Sequence, residues 1–169
     1  MAETRKVGTD NRKRTFACIV YPESAPENWQ EILSASHVQA LVSPLHDNDT
    51  FEDGRKKKEH YHVLVYMPGK VSIEDIQKLF DSFGGVGCEV IKSKSGMTRY
   101  LCHLDNPEKF QYAPTDVRAF GGANFLKWAE LDNDPLLFIP EIQDFIERHD
   151  ILSFYELSNY CRIYNKEWF

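Results

Sequence analysis

The stretch Glu59 to Met67, EHYHVLVYM, decides how the chain is read. Its β-branched and aromatic residues, closed by Pro68-Gly69, predict a strand. Residues two apart on a strand share a face, so His60 and His62 point the same way and Tyr61 points to the opposite face, toward a core. Working outward, Thr15 to Tyr21 (TFACIVY) before Pro22, Val38 to Ser43 before Pro44, and Val86 to Ile91 also read as strands. Phe110 to Tyr112, ahead of Pro114, is a candidate edge strand.

Helices fall between these strands. Pro26 to Ala35 carries Trp29, Ile32 and Leu33 at helical spacing, with Pro26 placed to open a turn. Ser72 to Phe83 has a capping box in Ser72 and Asp75 and an apolar face of Ile73, Ile76, Leu79 and Phe80; Gly84-Gly85 stops it. Gly96 to Leu104 predicts a short helix with Met97, Leu101 and Leu104 inward. Leu45 to Lys58, dense in Asp, Asn, Gly and Lys, must be a loop. The irregular alternation, with strands next to strands in places, predicts an α+β fold: a mainly antiparallel sheet flanked by helices.

The character changes after Gly121-Gly122. Asp132 to Asp134 followed by Pro135 reads as a linker. Pro140 to His149 and the capping box Ser153-Phe154-Tyr155-Glu156 announce two short amphipathic helices. Such helices cannot bury their faces alone, and the chain ends on the apolar pair Trp168-Phe169. Both features predict that further residues or a neighbouring chain cover this end. The expected division is a flexible basic arm at 1–14, a main domain at 15–131 and a small C-terminal helical segment at 132–169.

The composition of the 169 residues, 42% hydrophobic and 27% charged, is that of a soluble globular protein. No apolar run approaches the ~20 residues of a membrane span. The polar Met1 to Arg14 stretch is not a signal peptide. Cys18, Cys88, Cys102 and Cys161 form no CxxC pair, which argues against a disulfide scaffold or thiolate zinc site and fits a reducing cytoplasm. The net charge of −6 speaks against a nucleic-acid partner only as a total. Residues 1–125 carry 16 Lys and Arg against 17 Asp and Glu, whereas residues 126–169 carry 4 against 9. Positive charge gathers at Arg12-Lys13-Arg14 and at Arg55-Lys56-Lys57-Lys58, and local patches set the field that a phosphate meets. A solvated arm or loop is the plain reading of each cluster, and it is preferred for the arm.

The chemistry-bearing residues follow from the central strand. His60 and His62 on one face are a natural half of a divalent-metal site. The preceding loop begins Ser43-Pro44-Leu45-His46-Asp47-Asn48-Asp49 and offers a third imidazole and two carboxylates. Mixed nitrogen and oxygen ligands suit Mn²⁺, Mg²⁺, Co²⁺ or Zn²⁺ without selecting one. An H-x-H pair alone more often marks exposed or hydrogen-bonded histidines; the H-D-x-D loop moves the balance toward metal. His37 and His149 read as ordinary surface residues. Tyr100 lies in Thr98-Arg99-Tyr100-Leu101-Cys102-His103, with Lys94 upstream. A phenol needs neighbouring positive charge and a close base to become a nucleophile. A packed aromatic on an amphipathic helix is its plain reading.

The ordered set SPLHDND, HYHVLVY and RYLCH, with Tyr21-Pro22-Glu23-Ser24 after the first strand, resembles the HUH endonucleases. The resemblance is to initiators of rolling-circle plasmids of the Gram-positive type, from about Thr15 to Tyr112. It implies an antiparallel sheet of about five strands. His46, Asp49, His60 and His62 would hold a divalent metal, Mn²⁺ or Mg²⁺; Asp49 is favoured over Asp47, although spacing alone leaves both open. Tyr100 would attack the scissile phosphate, keep the 5′ end as a phosphotyrosine and leave a 3′ hydroxyl primer. His103 and Leu104 stand where a second tyrosine would be, so a single-tyrosine enzyme is implied; His103 either assists proton transfer or, the preferred reading, hydrogen-bonds locally.

The implied partners are single-stranded DNA and origin duplex or hairpin DNA in a bacterial cytoplasm, with no membrane. Lys56, Lys57, Lys58, Lys92, Lys94 and Arg99 are the expected phosphate contacts. The C-terminal helices resemble the start of an oligomerisation domain, so a homo-oligomer is possible. A conjugative relaxase or transposase would share this chemistry; a non-catalytic DNA-binding module would need neither metal nor Tyr100.

Overall fold

A computed structural model describes residues 12–131 and 139–164. The chain divides into two compact units, Met1–Ala129 and Glu130–Phe169. Among the described residues the first unit is built on one five-stranded sheet. Its strands are β1 (Lys13–Val20), β2 (Gln39–Val42), β3 (Tyr61–Val71), β4 (Gly85–Val90) and β5 (Arg118–Phe120), in the order β4-β1-β3-β2-β5. Every pairing is antiparallel, which bears out the expected α+β class.

The period-2 alternation of β3 divides the core into two layers. Val63 and Val65 face one layer with Phe16, Val20, Ala40 and Val42. Helices α1 (Trp29–Ala35) and α2 (Ile73–Ser82) close it through Trp29, Leu33, Ile76 and Phe80. Ser72 caps α2 by accepting from the Asp75 N–H at 3.1 Å. Leu64 and Leu41 face the other layer with Leu101 and Trp128. Helices α3 (Lys94–Tyr100) and α4 (Phe125–Trp128) lie on that side. His62, two residues before Leu64, therefore faces α3 and not α1.

Three expectations need correction. The central strand does not stop at Pro68-Gly69. It runs to Val71, and the register between Lys13 and Thr15 of β1 shifts so that Tyr66 pairs with Thr15 and Val71 with Lys13. Pro68, with no N–H to give, sits inside that irregularity, where a ladder bond is not required. Phe110 to Tyr112 is not a strand; β5 is Arg118–Phe120, paired with β2. The helix carrying Tyr100 begins at Lys94 and ends at Tyr100, and residues 101–105 form turns in which His103 takes a φ of +59°.

The second unit contains α5 (Ile139–Arg148) and α6 (Phe154–Tyr164). The Ser153 cap forms as expected, with Glu156 N–H donating to Ser153 Oγ at 3.2 Å, whereas the Glu156 carboxylate accepts from Leu152 N–H at 3.2 Å, one residue before the cap. Phe145 and Tyr160 pack with ring centroids 4.2 Å apart. Leu152, Phe154 and Tyr155 remain exposed. The expected linker at Asp132 to Asp134 and most of the basic arm lie outside the described residues; Lys13 and Arg14 belong to β1. All four cysteines are free.

The β2–β5 edge depends on Gly121. A Cβ there would stand 2.2 Å from the Val38 carbonyl oxygen, at a φ of +59°, whereas a Cβ on Gly122, at +78°, would meet open space. Gly121→Ala is expected to cost at least about 2 kcal/mol more than Gly122→Ala. Urea unfolding of the two variants measures the difference, and equal costs would contradict the close approach.

Candidate metal and tyrosine site

Three segments converge above β3. The loop after β2 returns to the sheet when His46 N–H donates to the His60 carbonyl at 2.9 Å. Ser43 Oγ accepts from His62 N–H at 2.9 Å, which locks the start of that loop to β3. The turn after α3 is pinned by Leu101, fully buried in the second core layer. The segment around Phe110 lies against that turn, with Tyr112 N–H donating to the Cys102 carbonyl at 3.3 Å.

Three buried imidazoles each give one N–H to a main-chain carbonyl. His46 Nε2 donates to Leu101 at 2.9 Å, His60 Nδ1 to Lys58 at 2.7 Å, and His103 Nδ1 to Phe110 at 2.8 Å. A carbonyl only accepts, so these contacts fix the tautomers, and the opposite nitrogens carry lone pairs. His46 Nδ1 and His103 Nε2 are buried with no hydrogen-bond partner. Both face Asp49 Oδ2, at 3.5 and 3.8 Å. The other Asp49 oxygen accepts from the Tyr112 hydroxyl at 3.2 Å, and the Tyr112 ring stacks on His46 at 4.3 Å with an interplanar angle of 2°. Burial, then the nearby carboxylates, push the Tyr112 phenol up to about 12, which keeps it a donor.

Among the described residues two sets of donors have ligand atoms within 4.8 Å of one another: His46, His60 and His62, and His46, Asp49 and His103. The expected His46, Asp49, His60 and His62 thus meet around His46, and His103 joins them. The orphaned nitrogens test the fit. Unsatisfied buried polar atoms are costly, and their distances to Asp49 approach the roughly 3–3.5 Å between donors that share one cation. A carbonyl holding the far nitrogen is the usual orienting contact of a metal-bound imidazole. The cluster fits a divalent cation, although the donor set names no particular one.

Tyr100, the last residue of α3, stands at the edge of this cluster. Its ring centroid is 5.5 Å from His62 and 5.1 Å from His103. Lys109 Nζ donates to its hydroxyl at 3.0 Å and lies 4.5 Å from its ring centroid. Sequence reasoning missed Lys109. Arg99, expected beside the tyrosine, forms a forked pair with Asp105, with contacts from 2.6 to 2.9 Å. Lys94 lies over the Tyr66 and Trp128 rings at 4.9 and 4.7 Å. Lys58 pairs with Glu23 at 2.5 Å and lies over the Tyr21 ring. Lys57 lies 5.6 Å from the Phe51 centroid. Lys56 and Lys92 are exposed.

The family model described as plasmid replication protein, origin-binding domain matches residues 8–125. The chain belongs to that family. Its resemblance to rolling-circle plasmid initiators, drawn from three motifs, holds at the family level. A replication protein of Staphylococcus aureus is 37% identical over 177 residues, covering 100% of this chain and 88% of its own length. The replication protein RepB of Lactiplantibacillus plantarum is 38% identical, covering 89% of this chain and 68% of its own length. RepB of Streptococcus agalactiae is 28% identical, covering 72% and 62%. This replication protein therefore acts in plasmid replication and binds the origin. Among the described residues no helix is long and apolar enough to cross a membrane.

Burial pushes the His62 imidazole down to about 2, and the neighbouring His46, His60, His103 and Lys109 charges add to the effect. Burial likewise lowers His46. An unfolded histidine takes up its proton near pH ~6.5, whereas these two stay neutral when folded. The unfolded state then binds more protons, so metal-free protein is expected to lose stability as pH falls below about 6.5, by up to ~1.4 kcal/mol per pH unit for each histidine. Urea unfolding across that range reads the slope. His62→Gln is expected to flatten it, and an unchanged slope would contradict the assignment.

Proposed function

We propose that this replication protein nicks single-stranded DNA at the plasmid origin, with Tyr100 as nucleophile and a divalent cation, Mn²⁺ or Mg²⁺, held by His46, Asp49, His60 and His62. The observation that carries the reading is the Tyr100 hydroxyl, set beside the imidazole cluster with an ammonium group 3.0 Å away. When bound, the cation supplies Lewis-acid polarisation of the scissile phosphate. His46 and His62, kept neutral by burial, present lone pairs at physiological pH. Lys109 donates a hydrogen bond to the Tyr100 hydroxyl, where its ammonium group would face the negative charge that develops at phosphorus.

The Tyr100 oxygen attacks phosphorus, and the bond from phosphorus to the 3′ oxygen breaks. The phenol proton passes to solvent, and the departing oxygen takes up a proton as a free 3′ hydroxyl. The 5′ end stays on Tyr100 as a phosphodiester, so the bond energy is conserved for rejoining. The family match to an origin-binding domain supports the DNA substrate.

Lys56, Lys57, Lys58, Lys92 and Lys94 are proposed phosphate contacts, and Arg99 joins them if phosphate displaces Asp105. The helical segment at 132–169 is proposed to begin an oligomerisation domain, a reading supported by the exposed Leu152, Phe154 and Tyr155. Residues 15–131 would form the nicking domain.

Covalent capture on single strands tiling the origin, resolved on denaturing gels, tests the chemistry. A shifted adduct is expected with Mn²⁺ and not with EDTA. Tyr100→Phe and His60→Ala are expected to abolish it, and Lys109→Met to slow its formation roughly 10²-fold. Strand cleavage without an adduct, or an adduct that survives Tyr100→Phe, would overturn the assignment.

A further inference from the structure

A cleft of about 320 Å³ opens beside the imidazole cluster. Asp49, which faces the cluster, and Lys109, which reaches Tyr100, line it together with Phe51 and Phe110. These rings are 50% and 51% exposed, large apolar surfaces to leave in water beside a charged site. Neither sits on loose chain. Phe51 opens a tight turn in which its N–H donates to the Arg55 carbonyl and its own carbonyl accepts from Gly54, both at 2.9 Å. Phe110 has its carbonyl held by His103 Nδ1 at 2.8 Å and its ring packed 4.9 Å from Tyr112. Both faces are therefore preorganised, which lowers the cost of binding.

We propose that this cleft is a stacking pocket for one unpaired nucleobase of the nicked strand, adjacent to the scissile phosphate. The proposal rests on the single-strand nicking reading above. Aromatic faces beside cationic side chains are the general means of holding unpaired strands. The Arg55 guanidinium and the Lys57 ammonium each stand 5.6 Å from the Phe51 centroid. Glu52 and Glu108 also line the cleft. Their charge offsets that of Lys57 and Lys109, which also line the cleft, and the mixed lining suits a neutral, planar base. The phosphate is left to the Lys109 end, where the same amine reaches the Tyr100 hydroxyl. One side chain thus links the base pocket to the nucleophile. The pocket holds the nucleotide that flanks the nick by stacking, which any base can make.

The test uses Tyr100→Phe protein in Mn²⁺, so that the strand stays intact. Single strands tiling the chain's own origin, each with one abasic position, are titrated by fluorescence anisotropy. One position is expected to lose roughly 5- to 100-fold in affinity when its base is removed. In the Phe51→Ala, Phe110→Ala double variant that loss should vanish, whereas Phe51→Tyr should retain it. Binding to duplex origin should be unchanged in both. A penalty that persists in the double variant, or an equal weakening on duplex, would overturn the pocket. Adduct formation by the Tyr100 protein on the same strands separates the two readings. An adduct with no base coupled to the phenylalanines removes the pocket alone; no adduct and no single-strand binding removes the nicking reading and the pocket with it.

Discussion

A neutral imidazole has one N–H to give, and three buried imidazoles here spend it on main-chain carbonyls. That constraint turns the other nitrogens of His46, His60 and His103 toward a common interior. Two of them, His46 Nδ1 and His103 Nε2, are buried and meet no donor. Such atoms cost free energy unless something positive reaches them. The surrounding architecture holds the donors there. β3 lies in the middle of the sheet, β2 delivers His46 beside it, and the buried Leu101 sets the turn that presents both its own carbonyl and His103. The layer of α1 and α2 lies on the opposite face and closes the core on which β3 rests.

Much of this was legible in the sequence because its signals are local. The spacing of two between His60 and His62 needs only strand periodicity to put both on one face. The Ser72 and Ser153 caps are read over three residues and form as expected. Features set by distant partners were not legible. Phe110 to Tyr112 has strand-like residues, yet its partners are the turn after α3 and the Asp49 loop, and the fifth strand is Arg118–Phe120. The passage of β3 beyond Pro68 depends on a register shift in β1, which no local rule announces.

The same distinction runs through the site. His46, Asp49, His60 and His62 belonged to two motifs that resemble a known pattern, and the fold groups His46 with His60 and His62 and, separately, with Asp49 and His103. His103 was read as a local hydrogen-bonder, and its Nδ1 is one; its Nε2 faces Asp49, a partner far away in the sequence. Lys109 carried no motif at all, since it reaches Tyr100 from nine residues on across an irregular turn. Arg99 sat next to Tyr100 in sequence and turns away to Asp105, because adjacent residues on a helix do not share a face.

We propose that the inward nitrogens form a cation site. Electron paramagnetic resonance of Mn²⁺ titrated into the protein tests it directly. One tightly bound ion per chain is expected, with nitrogen couplings from imidazole in the pulsed spectrum, and a large loss of affinity in His46→Ala. A spectrum of free aqueous Mn²⁺, or a bound signal without nitrogen couplings that persists in His46→Ala, would contradict it.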